Sequence, residues 1–413
     1  MTGPVRGARS GGTDGERYAL VAGGGTAGHL QPALAIAEAL VARGHDRATI
    51  EFLGSERGQD AATLEGRGFP VTLLPGRGIV RSLAPGDLVR NARSAWELAV
   101  AVARGVGIVG RSRPRVVVAV GGYASLAGAV GALLHRVPLV LVNVDAVPGA
   151  ANRLLGRFAT ASAVGWAGNP LPRAVVTGTP VRPEIGAVDR TAEGRAAARR
   201  LLGLPVDRSV VAVFGGSLGA RHLNRAVDGA AARWSDRTDL AIYHVVGRRD
   251  WGAYCDDPGV DRVPADGVAA PADGVDLIRV AYEQRMAAVY AAADVVVCRA
   301  GAMTVAELAV AGVPSVLVPL PGAPGDHQTA NARVLESVGA AVVLPDPDCT
   351  PVGLAGMVEA LLADPGRLDA MGAAAGAVGR PDAADAGARV VEESALPGHG
   401  GRLRSAGGRT GPA

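Results

Sequence analysis

The sequence predicts an α/β protein of two doubly wound domains in tandem, each a parallel sheet with helices on both faces. Three observations predict it. Short β-branched runs alternate with Ala- and Leu-rich helical stretches along the whole chain, the alternation restarts after residues 180–183, and each half opens with a strand that runs straight into a glycine-rich turn. In the first half the strand-like runs are 18–22, 48–53, 71–74, 116–120, 139–142 and 175–177; in the second they are 210–214, 241–246, 276–280, 295–297, 315–318 and 341–344. Runs this short and this uniformly apolar fit strands buried on both faces. The first domain is therefore expected over 18–178 and the second over 179–395, with a last helix that packs back toward the first domain. Residues 1–17 and 396–413, rich in Gly, Arg and Ser, read as disordered tails, and the Asp/Pro/Gly-rich stretch 255–275 reads as a long surface loop.

Composition narrows the function classes. With 413 residues, 48% of them hydrophobic, the chain can bury two cores of ordinary domain size. Cys255, Cys298 and Cys349 are too scattered for a disulfide framework or a metal-ligand set, which fits a reducing cytoplasm. All 42 cationic side chains are arginine, yet the net charge is only +3, and with 3% aromatics no arginine stripe interleaves with stacking rings. A nucleic-acid partner is not expected. The N-terminal tail lacks the apolar core of a signal peptide. The longest apolar stretch, 126–147, is broken by His135, Arg136, Pro138, Asn143 and Asp145 and reads as a helix, a turn and a buried strand. No segment offers the roughly 20 unbroken apolar residues of a membrane span, so any membrane contact should be peripheral.

The two glycine turns are Gly23-Gly24-Gly25-Thr26-Ala27-Gly28-His29 and Gly215-Gly216-Ser217-Leu218-Gly219-Ala220. Glycine lets backbone amides approach a ligand, and the helix that follows presents unpaired N–H groups, so both turns read as anion cradles facing a cleft between Rossmann-like domains. A nicotinamide cofactor fits poorly. Gly23, Gly25 and Gly28 have the required spacing, but the second strand closes on Phe52-Leu53-Gly54-Ser55 without the acidic residue that holds a ribose. No cofactor is expected. His29, just past a phosphate-type turn at a helix start, is the best candidate for a general base.

The first turn continues through Leu30-Gln31-Pro32, and the second half carries Cys298-Arg-Ala-Gly301-Ala302-Met303-Thr304-Val-Ala-Glu307, Pro319-Leu-Pro, and Asp326-His327-Gln328-Thr-Ala-Asn331. With Gly121-Gly-Tyr123, Gly215-Gly-Ser217 and Thr179-Pro-Val-Arg182, these blocks resemble the MurG family over about residues 18–392. The resemblance implies a glycosyltransferase-B fold and an inverting transfer of N-acetylglucosamine from UDP-GlcNAc to the C4 hydroxyl of a lipid-linked N-acetylmuramyl-pentapeptide, making a peptidoglycan precursor at the inner membrane face. It implies His29 as catalytic base. It implies donor contacts from Thr26, Gly28, Arg182, Gly216, Ser217, Leu218, Gly219, Ala302, Met303, Thr304, Glu307, His327, Gln328 and Asn331. Glu307 is read as lying in the first turn of its helix and accepting both ribose hydroxyls. No metal is expected at His327 and Asp326, since no second histidine stands at ligand spacing.

Two departures bear on the acceptor. Where the family carries His-Glu-Gln-Asn, this chain has Val142-Asn143-Val144-Asp145, a change read as losing hydrogen-bonding groups and gaining apolar surface on an acceptor loop; the family's glutamine in the second glycine turn is Leu218. These leave open a related transferase of secondary metabolism with another acceptor. A UDP-GlcNAc 2-epimerase, which needs several acid/base groups about the sugar ring, and a silent UDP-sugar-binding scaffold are the other readings. Residues 76–96 mix Ile79, Val80, Leu83, Leu88 and Trp96 with Arg77, Arg81, Arg90 and Arg93, which suits an anionic membrane surface.

Overall fold

The computed structural model describes residues 17–25, 27–56, 60–75, 85–216, 220–252 and 274–396, with backbone alone at 27, 85–94 and 324. The expected loop at 255–273 lies outside them, as do both tails beyond Arg17 and Leu396.

The elements alternate as the sequence requires. The first run is β1 (Ala19–Gly23), α1 (Ala27–Ala42), β2 (Ile50–Ser55), α2 (Asp60–Leu64), β3 (Val71–Leu74), α3 (Pro85–Ser112), β4 (Val116–Gly121), α4 (Tyr123–His135), β5 (Leu139–Asn143), α5 (Ala150–Gly156), β6 (Ala161–Val164) and β7 (Ala174–Val176). The second is α6 (Pro183–Gly186), α7 (Ala192–Leu202), β8 (Ser209–Phe214), α8 (Arg221–Arg233), β9 (Leu240–Val245), β10 (Asp276–Val280), α9 (Met286–Ala292), β11 (Val295–Cys298), α10 (Ala302–Ala311), β12 (Ser315–Leu317), α11 (His327–Ser337), β13 (Ala341–Val343), α12 (Pro351–Leu362), α13 (Pro365–Val378) and α14 (Ala383–Ala395). Every strand read from the sequence is present, its ends displaced by at most 2 residues. β6 is the one strand the reading misses: Ala-Ser-Ala-Val carries a single β-branched side chain and gives no strand signal.

The sheets run β3-β2-β1-β4-β5-β6-β7 and β10-β9-β8-β11-β12-β13. The pairings of β1 with β2 and β4, and of β8 with β9 and β11, are parallel. Both orders reverse direction once, after β1 and after β8, which is the doubly wound α/β topology expected. In the second sheet, Val210, Ala212 and Phe214 join one core cluster while Val211 and Val213 join another. The two-residue period of a strand sends them to opposite faces, and both faces are dry.

By contact density the chain forms two compact units. One comprises Met1–Val142, Leu154–Ser162 and Ala388–Ala413; the other comprises Asn143–Arg153 and Ala163–Gly387. In the first unit, Glu392 on α14 accepts from Arg43 at 2.8 Å and lies 2.9 Å from His45 Nε2. Those contacts tie the chain's last helix to the end of α1.

His244 on β9 is fully buried, with Nε2 3.0 Å from Asn224 Oδ1. Burial and then the Arg279 charge push its pKa down to about 3. The unfolded chain, with histidine near its ordinary pKa of about 6.5, takes up a proton that the folded chain refuses. Stability is therefore lost as pH falls from about 6.5 toward 3, by up to about 1.4 kcal/mol per pH unit for this group. Melting curves between pH 7 and 4 should show a shallower loss in His244→Gln than in the wild type; parallel curves would assign the acid sensitivity to other groups.

Candidate active site

Reversal of strand order leaves the loops after β1 and β4 diverging, and those after β8 and β11 diverging, so a crevice opens at the C-terminal ends of each pair. Of the residues predicted from the sequence, Gly28, His29, Gly216 and Ala302 to Thr304 stand at these two places.

In the first unit, Gly24-Gly25 follow β1, Gly121-Gly122 close β4, and His29 is the third residue of α1, partly exposed, directly after Gly28. Its imidazole lies flat on the glycine pair. A Cβ on Gly121 would stand 2.5 Å from His29 Cδ2 and 2.7 Å from Nε2, and one on Gly122 would meet the Gly24 carbonyl oxygen at 2.4 Å. Only glycine permits this approach, and both positions also have positive φ, 126° and 80°. Ser125 fixes the pair by accepting from Gly121 N–H at 2.9 Å and donating to Ala22 O at 3.2 Å. Thr26 lies outside the described residues.

Asp60, which gives no signal in the sequence, closes this turn at Gly25. Both Asp60 carboxylate oxygens lie 2.9 Å from the Gly25 nitrogen, and Oδ2 accepts from Ser55 N–H at 2.8 Å. The Gly25 amide is thus already taken by an anion of the protein's own. Two acids follow the second strand, Glu56 directly and Asp60 five places after Ser55, and Asp60 faces the turn's backbone.

In the second unit, Gly215-Gly216 follow β8; Ser217, Leu218 and Gly219 lie outside the described residues. β11 leads through Arg299-Ala300-Gly301 into α10, whose first turn is Ala302, Met303 and Thr304, all partly exposed. Their N–H groups have no partner within the helix and carry its positive dipole end. Arg299, buried, braces the strand ends beneath by donating to Val318 O and Pro319 O at 3.2 Å and to Asp346 Oδ1 at 2.5 Å.

Glu307 stands one turn further on than expected. α10 begins at Ala302, so Glu307 is its sixth residue, in the second turn, and only 8% exposed. Arg182, at the start of α6, donates to its Oε1 through Nε and NH2 at 3.3 Å each, and the Tyr290 hydroxyl donates to Oε2 at 2.8 Å. Burial raises the Glu307 pKa above the ordinary carboxylate range, while Arg182 and Tyr290 act in the opposite direction. Tyr290 gave no signal in the sequence, since an aromatic residue in an apolar helix is ordinarily core.

His327 and Gln328 open α11, partly exposed, and Gln328 Oε1 accepts from Leu320 N–H at 2.9 Å. Asn331 does not share their surface. It is fully buried, donates from Nδ2 to Asp145 Oδ1 at 2.9 Å and Ala300 O at 3.2 Å, and accepts from Ala146 N–H at 2.7 Å. Its place as a donor-sugar contact is therefore corrected: it is an internal brace.

The segment it braces is the one expected as the acceptor loop, and there too the expectation changes. Val142 and Val144 are 2% and 5% exposed, so the apolar substitutions add no apolar surface. Asn143 is equally buried, donating to Asp145 O at 2.7 Å and accepting from Asn152 at 3.0 Å. Asn143 thus holds the Asp145 carbonyl, and the Asp145 carboxylate in turn accepts from Asn331.

Among the described residues, no group of three or more His, Cys, Asp or Glu side chains is placed to hold a metal ion. The chain does contain an Asp-x-Asp, Asp346-Pro347-Asp348, but Asp346 is spent on Arg299. No helix among the described residues is long and apolar enough to cross a membrane.

Two doubly wound sheets, each with a glycine turn and a helix start at its switch point, and a buried carboxylate one turn beyond the second, make this chain a glycosyltransferase. Residues 19–164 match the glycosyltransferase family 28 N-terminal domain and residues 210–386 the family 28 C-terminal domain. The UDP-N-acetylglucosamine–N-acetylmuramyl-(pentapeptide) pyrophosphoryl-undecaprenol N-acetylglucosamine transferase of Desulforudis audaxviator is 37% identical over 381 residues, 91% of this chain and 98% of that one. Its counterpart from a Nocardioides species is 40% identical over 378 residues, again 91% and 98%. The crystal structure of Acinetobacter baumannii MurG superposes with a TM-score of 0.69 at 26% identity, covering 92% of this chain and all of the other. The chain belongs to the MurG family.

If Asn331 is a brace, Asn331→Ala should act on stability. It leaves Asp145, the Ala146 amide and the Ala300 carbonyl without their partner, a loss of roughly 2–4 kcal/mol when each broken buried bond costs about 1 kcal/mol. Denaturant melts should show it, with donor KM of the folded protein changed less than about twofold; a large rise in donor KM at unchanged stability would restore Asn331 to the sugar site.

Proposed function

We propose that the protein is an inverting transferase that moves N-acetylglucosamine from UDP-N-acetylglucosamine to the C4 hydroxyl of a lipid-linked N-acetylmuramyl-pentapeptide, at the cytoplasmic face of the plasma membrane. The reading is carried by the Glu307–Arg182–Tyr290 group beside the α10 start, in a chain that aligns over 91% of its length with a transferase of that name. The α10 amides of Ala302, Met303 and Thr304, with Gly216 and the neighbouring Ser217, Leu218 and Gly219, suit the donor's diphosphate. His327 and the free-facing amide end of Gln328 suit the sugar hydroxyls. An ionised carboxylate has about four acceptor positions. Arg182 and Tyr290 take three at Glu307, so receiving both ribose hydroxyls requires one of the long Arg182 bonds to give way.

In the transfer the acceptor O4 forms a bond to the sugar's C1 as the bond from C1 to the diphosphate oxygen breaks, the configuration at C1 inverts, and His29 takes the O4 proton. UDP leaves with the electron pair. Positive helix ends and Arg182 answer the charge it develops. Val142 and Val144 are buried, so the apolar surface that spoke for a different acceptor is not formed, while the loss of the family's polar groups there and Leu218 still stand as departures. Trp96 on α3, 70% exposed, supports peripheral contact with an anionic bilayer.

Purified protein with UDP-GlcNAc and a short-chain lipid-linked muramyl-pentapeptide should release UDP and yield the disaccharide product; no product from that acceptor would overturn the reading. His29→Ala should lower kcat by about 100-fold or more, with UDP affinity changed only a few fold, because general-base help is typically worth 10²–10⁴. Near-wild-type turnover would remove His29 from the chemistry.

Glu307→Gln should raise the donor KM by an amount equivalent to about 1.5–3 kcal/mol, the usual value of a hydrogen bond to a charged group. Because burial holds the Glu307 pKa above the ordinary carboxylate range, the wild-type donor KM should climb as pH falls toward that range from neutrality. The glutamine variant should lack this climb. Identical pH profiles would separate Glu307 from the ribose.

A further inference from the structure

Asp60 is a fully buried carboxylate at the start of α2. Such a group costs several kcal/mol unless donors meet it, and its donors are the backbone amides of Gly25 and Ser55. The fold makes room for it deliberately. A Cβ on Gly24 would lie 1.9 Å from Oδ2, and one on Gly54 would lie 3.2 Å from the same oxygen.

The turn that Asp60 holds is also the turn against which His29 is seated. Gly24's carbonyl oxygen touches the Gly122 backbone, and the His29 ring lies on Gly121 and Gly122. A shift at Gly24 therefore reaches the imidazole through the Gly122 backbone between them. At the same time a fixed negative charge occupies the Gly25 amide, the donor that in an open phosphate turn would meet a ligand's oxygen.

We propose that Asp60 is a positioning residue for the transfer: its carboxylate locks the Gly24-Gly25 turn and thereby seats His29. The proposal rests on the transferase reading with His29 as base.

Asp60→Asn tests it, since the side-chain amide sets a donor against two backbone donors and removes the charge. kcat should fall about 10-fold or more with donor KM within about twofold, misplacement of a catalytic group being costly even over 1 Å. In the His29→Ala background the same substitution should cost less than about twofold, because two changes acting through one group are not additive. Should the asparagine variant not fold, Asp60→Ser, which accepts from one amide without charge, takes its place in the same measurements. A full additive loss in the His29→Ala background or unchanged turnover would overturn the proposal. Absence of any wild-type turnover would overturn the transferase reading and the proposal with it.

Discussion

A parallel sheet whose winding reverses has to leave two neighbouring strands with loops that run to opposite faces, and nothing in the backbone can cover the gap between them. That constraint organises each unit of this chain. β1 and β4 flank the gap in the first sheet, β8 and β11 in the second. His29 and the glycine pairs in one unit, and the α10 start that leads to Glu307 in the other, follow those four strands directly. A gap alone confers no chemistry, and the same topology serves many unrelated reactions; what differs between the two gaps here is how the negative charge held beneath them is satisfied.

Both gaps contain a buried carboxylate, and the two are satisfied differently. Asp60 is met by backbone amides, which cannot move without moving the turn. Glu307 is met by side chains, a tyrosine at 2.8 Å and an arginine at 3.3 Å, which can exchange partners when a ligand arrives. Backbone donors make a fixed part and side-chain donors an adjustable one. An adjustable carboxylate suits a group that must bind and release a nucleotide in every cycle, and a fixed one suits a seat for a base that must not wander.

The fold was almost wholly legible in the sequence, because parallel strands buried on both faces are written as short β-branched runs and because glycine turns mark where each unit begins. β6 escaped for the same reason, having alanine and serine where a run would be. The site was legible by motif but not by environment. Glu307 was found, though placed one turn too early, since the helix start at Ala302 depends on the extended backbone of Gly301. Asn331 lies four residues after His327 and looked like its neighbour on one polar face; in the fold it points inward to Asp145, a partner 186 residues away that no local pattern announces. Val142 and Val144 were taken for surface because their family counterparts are polar, yet β5 and the segment after it carry them inside. Asp60 and Tyr290 act only through contacts made across the fold, with Gly25 and with Glu307, and a reading that moves along the chain has no way to weigh them.

The segment Asn143–Arg153 belongs by its contacts with residues that follow it in the chain by more than a hundred positions, through Asn331 above all. This makes the second unit discontinuous and carries it back past the linker near residue 179 to Asn143. A fragment beginning at the linker near residue 179 would keep the donor-side helices and lose the strip that fills Asn331's hydrogen bonds, along with the Val144 carbonyl that receives the Thr179 hydroxyl at 3.1 Å. The polar atoms exposed by that cut would lie inside the fragment, where water cannot replace what was removed.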